Sequence, residues 1–123
     1  MSEELVELGE IIERSTPDAV FGSEIAHGEL TVHCAPEGIP DLLKFLRDAA
    51  PCKFTTLIDV TAVDWPEREK RFDLVYHLLS MRQNQRVRVK AQLREDQLAP
   101  SVVGVFPTAD WYEREVFDMY GVF

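Results

Sequence analysis

Two stretches in the middle of the chain decide the fold: residues 72–81 read FDLVYHLLSM and residues 86–93 read RVRVKAQL. The first stretch is almost continuously apolar, which is typical of a strand that lies inside a sheet and is covered on both faces. The second stretch alternates, with Val87, Val89, Ala91 and Leu93 predicted to point inward. Residues 82–85 predict a turn, so the sequence favours two successive strands at this point.

Upstream of these strands, the chain begins with a predicted helix over residues 3–14, in which Leu5, Leu8 and Ile12 form one apolar stripe. Two short strands follow over residues 20–26 and 29–35. A tight turn at His27-Gly28 joins them, because glycine readily takes a positive φ. The N-terminal third therefore predicts a helix followed by a hairpin.

The next predicted elements are a second helix and a third strand. Pro40 opens the helix, where its missing N–H has no cost, and Pro51 closes it. The third strand is predicted over residues 54–63. Strict alternation places Asp59 on one face together with Leu57 and Val63. It places five residues on the other face: Phe54, Thr56, Ile58, Val60 and Ala62.

The last third of the sequence predicts a connector and a third helix. The connector holds Pro100 and Pro107, and the helix begins at Thr108 or Asp110 and runs to about Tyr120. Asp110 and Glu113 approximate a capping box at its start. Gly121 is a typical helix terminator.

These elements follow the order α-β-β-α-β-β-β-α, which predicts an α+β fold. The helix between the second and third strands is a crossover, so we expect a mixed sheet of about five strands packed against helices. A length of 123 residues fits one domain, and we expect residues 1–123 to form a single domain.

The charge balance restricts the possible partners. The chain has 13 Lys and Arg against 22 Asp and Glu, a net charge of −9. An acidic surface repels phosphate backbones and anionic lipids, so we expect no nucleic-acid binding. The acidic start, Met1-Ser2-Glu3-Glu4, is unlike a targeting leader, and no window approaches a membrane span of about 18 apolar residues. We therefore expect membrane contact only indirectly, through partner proteins.

Cysteines and histidines give no recognisable cofactor motif. Cys34 and Cys52 are far apart in the sequence and belong to no C-x-x-C pair. Metal and iron–sulfur sites commonly use closely spaced ligands, so we expect two small buried side chains and no cofactor. The sequence does not require a disulfide between the two cysteines but leaves it open.

Two polar groups leave other functions open. Asp59, Asp64 and His77 could form a metal or acid/base site of a stand-alone enzyme. The stripe Arg86, Arg88 and Lys90 is typical of a solvated strand face, although it could also dock an acidic partner.

The third helix is the most unusual segment. On a helical wheel, Tyr112, Val116, Met119 and Tyr120 form one apolar arc, and Arg114, Glu115, Asp118 and Trp111 lie opposite. Glu113 falls at the edge of the apolar arc, where a carboxylate needs a partner. Arg114 and Asp118 are placed for an i, i+4 pair. The pattern fits a plain amphipathic helix, and it also fits a docking helix with aromatic anchors.

The same helix carries a resemblance to a known family. Glu113-Arg114-Glu115, two residues, Asp118 and then Met119-Tyr120 resembles the signature of the 30-kDa subunit family of respiratory complex I, called the C subunit in bacteria. Further blocks over residues 54–123 follow the family's order and spacing: Leu57 to Asp64, Arg71-Phe72, Tyr76 to Ser80, Asn84 to Lys90, Pro100-Ser101-Val102 and Val105-Phe106-Pro107.

The resemblance implies a structural and assembly subunit of the hydrophilic arm of NADH:quinone oxidoreductase, without a cofactor and not catalytic alone. It implies docking to the quinone-site subunit (the 49-kDa type) and a peripheral place on the cytoplasmic face of the bacterial inner membrane, or the matrix side in mitochondria. The assembled complex transfers electrons from NADH to quinone and translocates protons. The residues carried over as interface or signature residues are Glu113, Arg114, Glu115, Asp118 and Tyr120.

Two alternatives and one departure accompany this resemblance. An equivalent subunit of a membrane-bound hydrogenase or of the photosynthetic complex I-like enzyme would look similar. A general protein-interaction domain unrelated to redox is the other alternative, and it would be favoured if no quinone-site subunit bound. Family members continue with a long tail, which is absent after Phe123 here. We expect a chain without that tail to fold but to dock less tightly.

Overall fold

The computed structural model describes residues 2–49, 52–81 and 84–121. Part of the turn predicted over residues 82–85, and Pro51, lie outside the described residues. The elements follow the predicted order: α1 Ser2–Ser15, β1 Val20–Ala26, β2 Glu29–Cys34, α2 Ile39–Asp48, β3 Thr56–Asp64, β4 Phe72–Ser80, β5 Gln85–Leu93 and α3 Ala109–Tyr120.

The five strands form one mixed sheet in the order β1-β2-β5-β4-β3. The pairs β1/β2, β3/β4 and β4/β5 are antiparallel, whereas β2 and β5 are parallel. After β2, α2 carries the chain to the far edge of the sheet, and the meander β3-β4-β5 brings it back beside β2. The α+β prediction and the mixed five-stranded sheet are confirmed.

One face of the sheet forms the core with the helices. The predicted inward residues of β5 are all buried there, and Leu8 and Ile12 of α1 belong to the same cluster. Among the described residues, no side chain of the opposite face belongs to this cluster. We call that opposite face the open face. It carries Glu29, Thr31, Asp59, His77, Arg88 and Lys90.

A β-bulge at Ile58 corrects the predicted faces of β3. Leu57 lies opposite Leu78 and Asp59 lies opposite His77, so two steps on β3 match one step on β4. The extra residue shifts the alternation. Leu57 is therefore buried in the core and Asp59 is on the open face, and the prediction that they share a face was wrong.

The hairpin between β1 and β2 has the predicted tight turn. His27 and Gly28 both take a positive φ, of 54° and 76°. This is the combination that a two-residue type I′ hairpin requires. A second bulge, between Val20 and Gly22, keeps Val20 buried and leaves Phe21 73% exposed.

Candidate functional site

The candidate site is α3, which packs against the β3 edge of the sheet. Its inward side is formed by buried Ala109 and Val116, with Tyr112 and Tyr120 partly buried against the core. The predicted apolar arc is therefore confirmed except for Met119, which is 70% exposed. Within the described part of the chain, the other large exposed hydrophobic side chains of α3 are Trp111 and Phe117.

Glu113 is the charged residue that α3 turns inward. It is only 7% exposed, and its carboxylate accepts hydrogen bonds from the Ser101 hydroxyl at 2.7 Å and the Val102 N–H at 2.8 Å. The expectation that this carboxylate has a partner is confirmed. The predicted capping box is wrong, because the carboxylate binds the connector, and the N-cap Thr108 makes no side-chain capping bond.

Arg114 pairs with Asp110 at 3.2 Å, so the predicted pairing with Asp118 was wrong. The observed order has the acid one turn before the base, which complements the helix dipole better. Arg114, Glu115 and Asp118 are all exposed. We call the exposed side of α3 the outer face: Trp111, Arg114, Glu115, Phe117, Asp118 and Met119.

The C-terminal end of α3 is fixed by two contacts. Gly121 takes φ 68° and its N–H donates to the Phe117 carbonyl at 2.8 Å, as predicted for a helix terminator. The Tyr120 ring lies 5.5 Å from the Phe72 ring, tilted by 57°. Tyr120 thus anchors the helix on β4 rather than pointing outward.

A buried acid that the sequence reasoning missed orders the loop between β3 and β4. Asp73 is 6% exposed and accepts hydrogen bonds from Trp65 Nε1 at 3.0 Å and Arg68 Nη2 at 2.6 Å. The Arg68 guanidinium also lies 5.3 Å above the Trp65 ring. The available signal was a single acid in an otherwise apolar strand, which must be paired when buried.

Arg71 closes the same loop and links it to α3. It donates two hydrogen bonds to the Asp64 carboxylate, at 2.6 and 2.9 Å, and one to Glu95 at 3.2 Å. These bonds from Arg71, and its charge, lower the pKa of Asp64. Its guanidinium lies 5.3 Å from the Phe72 ring, the same ring that Tyr120 contacts.

The structure does not assemble the alternative site predicted from Asp59, Asp64 and His77. Asp59 shares a hydrogen bond with His77 Nδ1 at 2.6 Å, whereas Asp64 is held by Arg71. Asp64 follows Asp59 by five strand positions, a separation of roughly 15 Å. Among the described residues no group of three His, Cys, Asp or Glu could hold a metal ion.

Both cysteines are buried, as predicted, and free. Burial raises the pKa of Cys34 to about 12, with a contribution from Glu37, and raises the pKa of Cys52 to about 11. Neither thiol is poised to ionise near neutral pH. The described helices include none that is long and apolar enough to cross a membrane.

The fold and the outer face of α3 define an α+β domain whose last helix exposes aromatic and charged side chains. Residues 32–123 match the sequence model of the family described as "Respiratory-chain NADH dehydrogenase, 30 Kd subunit". The chain belongs to this family, as the resemblance in its last helix implied.

Similar proteins agree with this assignment. The chain is 57% identical over 122 residues to the C subunit of the NADH-quinone oxidoreductase of Rhodobacter capsulatus, and 51% identical to that of Agrobacterium fabrum. Each match covers 99% of this chain and 61% of the relative, so the chain spans about three-fifths of their length.

A solved structure shares the fold. It is a chain of the membrane-bound sulfane sulfur reductase, an archaeal respiratory membrane complex, and it is 29% identical with a TM-score of 0.80. The match covers 95% of this chain and 68% of that chain.

Proposed function

We propose that this chain is a structural and assembly subunit of the hydrophilic arm of a bacterial NADH:quinone oxidoreductase. Its share is to dock on the quinone-site subunit, while the whole complex transfers electrons from NADH to quinone and translocates protons. The names of its bacterial relatives support this proposal. Residues 1–123 act in it as one folded domain.

The observation that carries the proposal is the outer face of α3. Trp111 is 67% exposed, Phe117 54% and Met119 70%. Aromatic side chains, methionine and arginine are enriched in protein interfaces, whereas a solvated helix has little use for three large apolar side chains. Arg114, Glu115 and Asp118 stand among them and provide charges that select the partner.

The signature residues divide into two roles in this proposal. Arg114, Glu115 and Asp118 contact the partner directly, because they are exposed on the outer face. Glu113 and Tyr120 position the helix, because one binds the connector and the other packs on Phe72.

The chain contributes no cofactor in this proposal. Its two thiols are buried with raised pKa values, which disfavours their use as metal or cluster ligands. Electrons pass through neighbouring subunits. The chain is peripheral on the cytoplasmic face of the inner membrane and reaches the membrane through its partners.

The equivalent subunit of a related hydrogenase-type complex is the weaker hypothesis. The structural relative from an archaeal respiratory complex is 29% identical, whereas the bacterial NADH-quinone oxidoreductase relatives reach 57%. A stand-alone metal enzyme finds no support in the pairing of Asp59 with His77 and of Asp64 with Arg71.

The test is co-purification of the chain with the quinone-site subunit of the same bacterium. We expect a one-to-one complex, and Met119→Ala should weaken it by about tenfold, as loss of an interface anchor does. Met81→Ala is the matched control, because Met81 is an equally exposed methionine, at 76%, outside α3.

Trp111→Ala repeats this test with the largest side chain of the outer face. A complex that forms with unchanged affinity in both α3 variants would show that docking uses another surface. Failure of the unaltered chain to form any complex, even when extended to the length of its relatives, would contradict the proposed function itself.

A further inference from the structure

A small basic cavity lies at one end of the open face, and none of the described residues of α3 lines it. Because β2 and β5 are parallel, they end at the same edge of the sheet, and the antiparallel β1 and β4 begin there. The cavity has a volume of about 270 Å³. The side chains around it that matter here are Phe21, His33, Glu37, Lys70, Lys90 and Arg94.

The charge of this basic cavity is opposite to that of the chain. Three of its lining residues are Lys or Arg and only Glu37 is acidic, although the whole chain carries −9. In the described part of the chain, neither Lys70 nor Lys90 has an acidic partner within 4.0 Å. Among the residues that the structure describes, the acidic partner of Arg94 is the exposed Asp96, at 3.6 Å. The positive charges of Lys70 and Lys90 are therefore free to pair with a group of another molecule.

His33 does not neutralise the positive charge of the basic cavity. Its Nε2 lies 3.1 Å from Glu24 Oε1, so the nearest acid on β1 is already engaged by the histidine. Lys90 lies beside His33 in the parallel register of β2 and β5. Glu24 is thus paired with His33 and not with Lys90.

Phe21 adds an apolar contact at the rim. Because of the bulge in β1, the Phe21 side chain does not point into the core. It is 73% exposed, whereas its neighbour Val20 is buried. An exposed aromatic ring beside unpaired cations is the combination expected of an interface anchor.

We propose that the basic cavity is a second docking site, which takes an acidic segment of a neighbouring protein of the complex. The inference rests on the proposed function, and it makes the chain a bridge between α3 on one face of the sheet and this site on the other. The volume is just below that of small-ligand pockets, which are roughly 300–1,000 Å³. One or two inserted carboxylate side chains fit it better than a cofactor does.

The experiment is zero-length carbodiimide cross-linking of the purified respiratory complex that contains the full-length protein. The reagent joins an amine to a carboxylate only when the two are in contact. We expect mass spectrometry to find Lys70 or Lys90 joined to an Asp or Glu of another protein of the complex. A cross-link to a second copy of this chain, or none while both lysines are shielded, would overturn the acidic-segment assignment.

Amine acetylation of the same complex provides the independent measurement. Lys70 and Lys90 should lose most of the reactivity that they show in the isolated chain, with exposed Lys44 on α2 as the reference lysine. If Lys70 and Lys90 react as fast in the complex as in the free chain, the cavity is unoccupied and this inference is wrong. The chain would still be present in the complex, so the proposed function would stand.

A variant completes the test. Lys70 lies in an exposed loop, so the variant Lys70→Glu should still fold. This variant should lower incorporation of the chain into the complex by about tenfold at low salt. Lys44→Glu makes the same charge change on α2 and should incorporate normally. Equal incorporation of the two variants would also overturn the inference.

Discussion

The carboxylate of Glu113 accepts a hydrogen bond from the Val102 N–H over 2.8 Å, which ties α3 to the connector before it. The second carboxylate oxygen binds the Ser101 hydroxyl at 2.7 Å. A buried carboxylate is costly to desolvate, and here two donors compensate it. The connector and the helix are therefore held together, and this contact fixes the direction in which the outer face of α3 points.

Glu113→Ala should destabilise the fold. The substitution leaves the Val102 N–H and the Ser101 hydroxyl without their acceptor, so we expect the free energy of unfolding to fall by about 2–3 kcal/mol. Glu113→Gln keeps one acceptor oxygen and should cost about 1 kcal/mol. Urea unfolding followed by circular dichroism measures both.

Glu115→Ala is the control for this series, because Glu115 lies on the same helix but is exposed. It should change stability by less than about 0.5 kcal/mol. If Glu113→Ala proves as mild as Glu115→Ala, the buried carboxylate is not what joins α3 to the connector.

Tyr76→Phe should leave the fold unchanged or more stable by about 1 kcal/mol. Tyr76 is fully buried, and among the described residues its hydroxyl has no hydrogen-bond partner. Burial raises the pKa of Tyr76, with contributions from Glu113 and Cys34, so the hydroxyl stays protonated. Removing it removes an unpaired donor while keeping the ring in place.

Thermal unfolding of Tyr76→Phe beside Tyr112→Phe gives the comparison, since Tyr112 is only partly buried. A clear loss of stability in Tyr76→Phe alone would mean that its hydroxyl has a stabilising partner after all.

Asp64→Asn should reduce the loss of stability in acid. Hydrogen bonds from Arg71, and then its charge, hold the pKa of Asp64 below its ordinary value of 3.8 in the folded chain. A lowered folded-state pKa gives stability that is present above pH 3.8 and is lost as the pH falls through the folded-state value. The variant lacks this titrating group, so its stability should depend less on pH in that window.

The measurement is urea unfolding of both proteins at about pH 6 and about pH 3. The wild-type chain should be the more stable at the higher pH, and its advantage over Asp64→Asn should be smaller at the lower pH. Asp96→Asn removes an exposed acid with only a 3.6 Å contact and should keep the wild-type dependence. Parallel pH curves for wild type and Asp64→Asn would rule out this role for the Arg71 pair.

Local pattern was sufficient to predict most elements. Strand β5 alternates over eight residues without interruption, and its four predicted inward side chains are all buried. The His27-Gly28 turn and the Gly121 terminator were predicted correctly because each places a glycine at a positive φ. These features are decided by residues close together in the sequence.

The errors arose where a distant partner decides the structure. The bulge at Ile58 depends on the register with β4, so alternation alone assigned Leu57 to the wrong face. The Glu113 carboxylate binds Ser101 and Val102, a contact that exists only once the connector folds back on α3. The charges around the basic cavity come from three separate segments that only the sheet topology brings together.

Arg114→Glu should weaken docking to the partner while leaving the fold nearly as stable as before. Its ion pair with Asp110 is exposed on both sides, at 73% and 54%, so its loss and the new repulsion should cost less than about 1 kcal/mol of stability. On the proposed docking surface, however, the reversed charge faces the partner, and affinity for the quinone-site subunit should fall by about tenfold. Titration of the labelled partner measures this, with circular dichroism to confirm folding.

Arg14→Glu is the matched control, because Arg14 is an exposed arginine on a different helix, α1. It changes the net charge by the same amount, so any long-range effect of charge on association should appear equally in both variants. A selective loss in Arg114→Glu would therefore place the partner on the outer face of α3. Equal losses would attribute the effect to net charge, and a stable, fully binding Arg114→Glu would remove this residue from the docking surface.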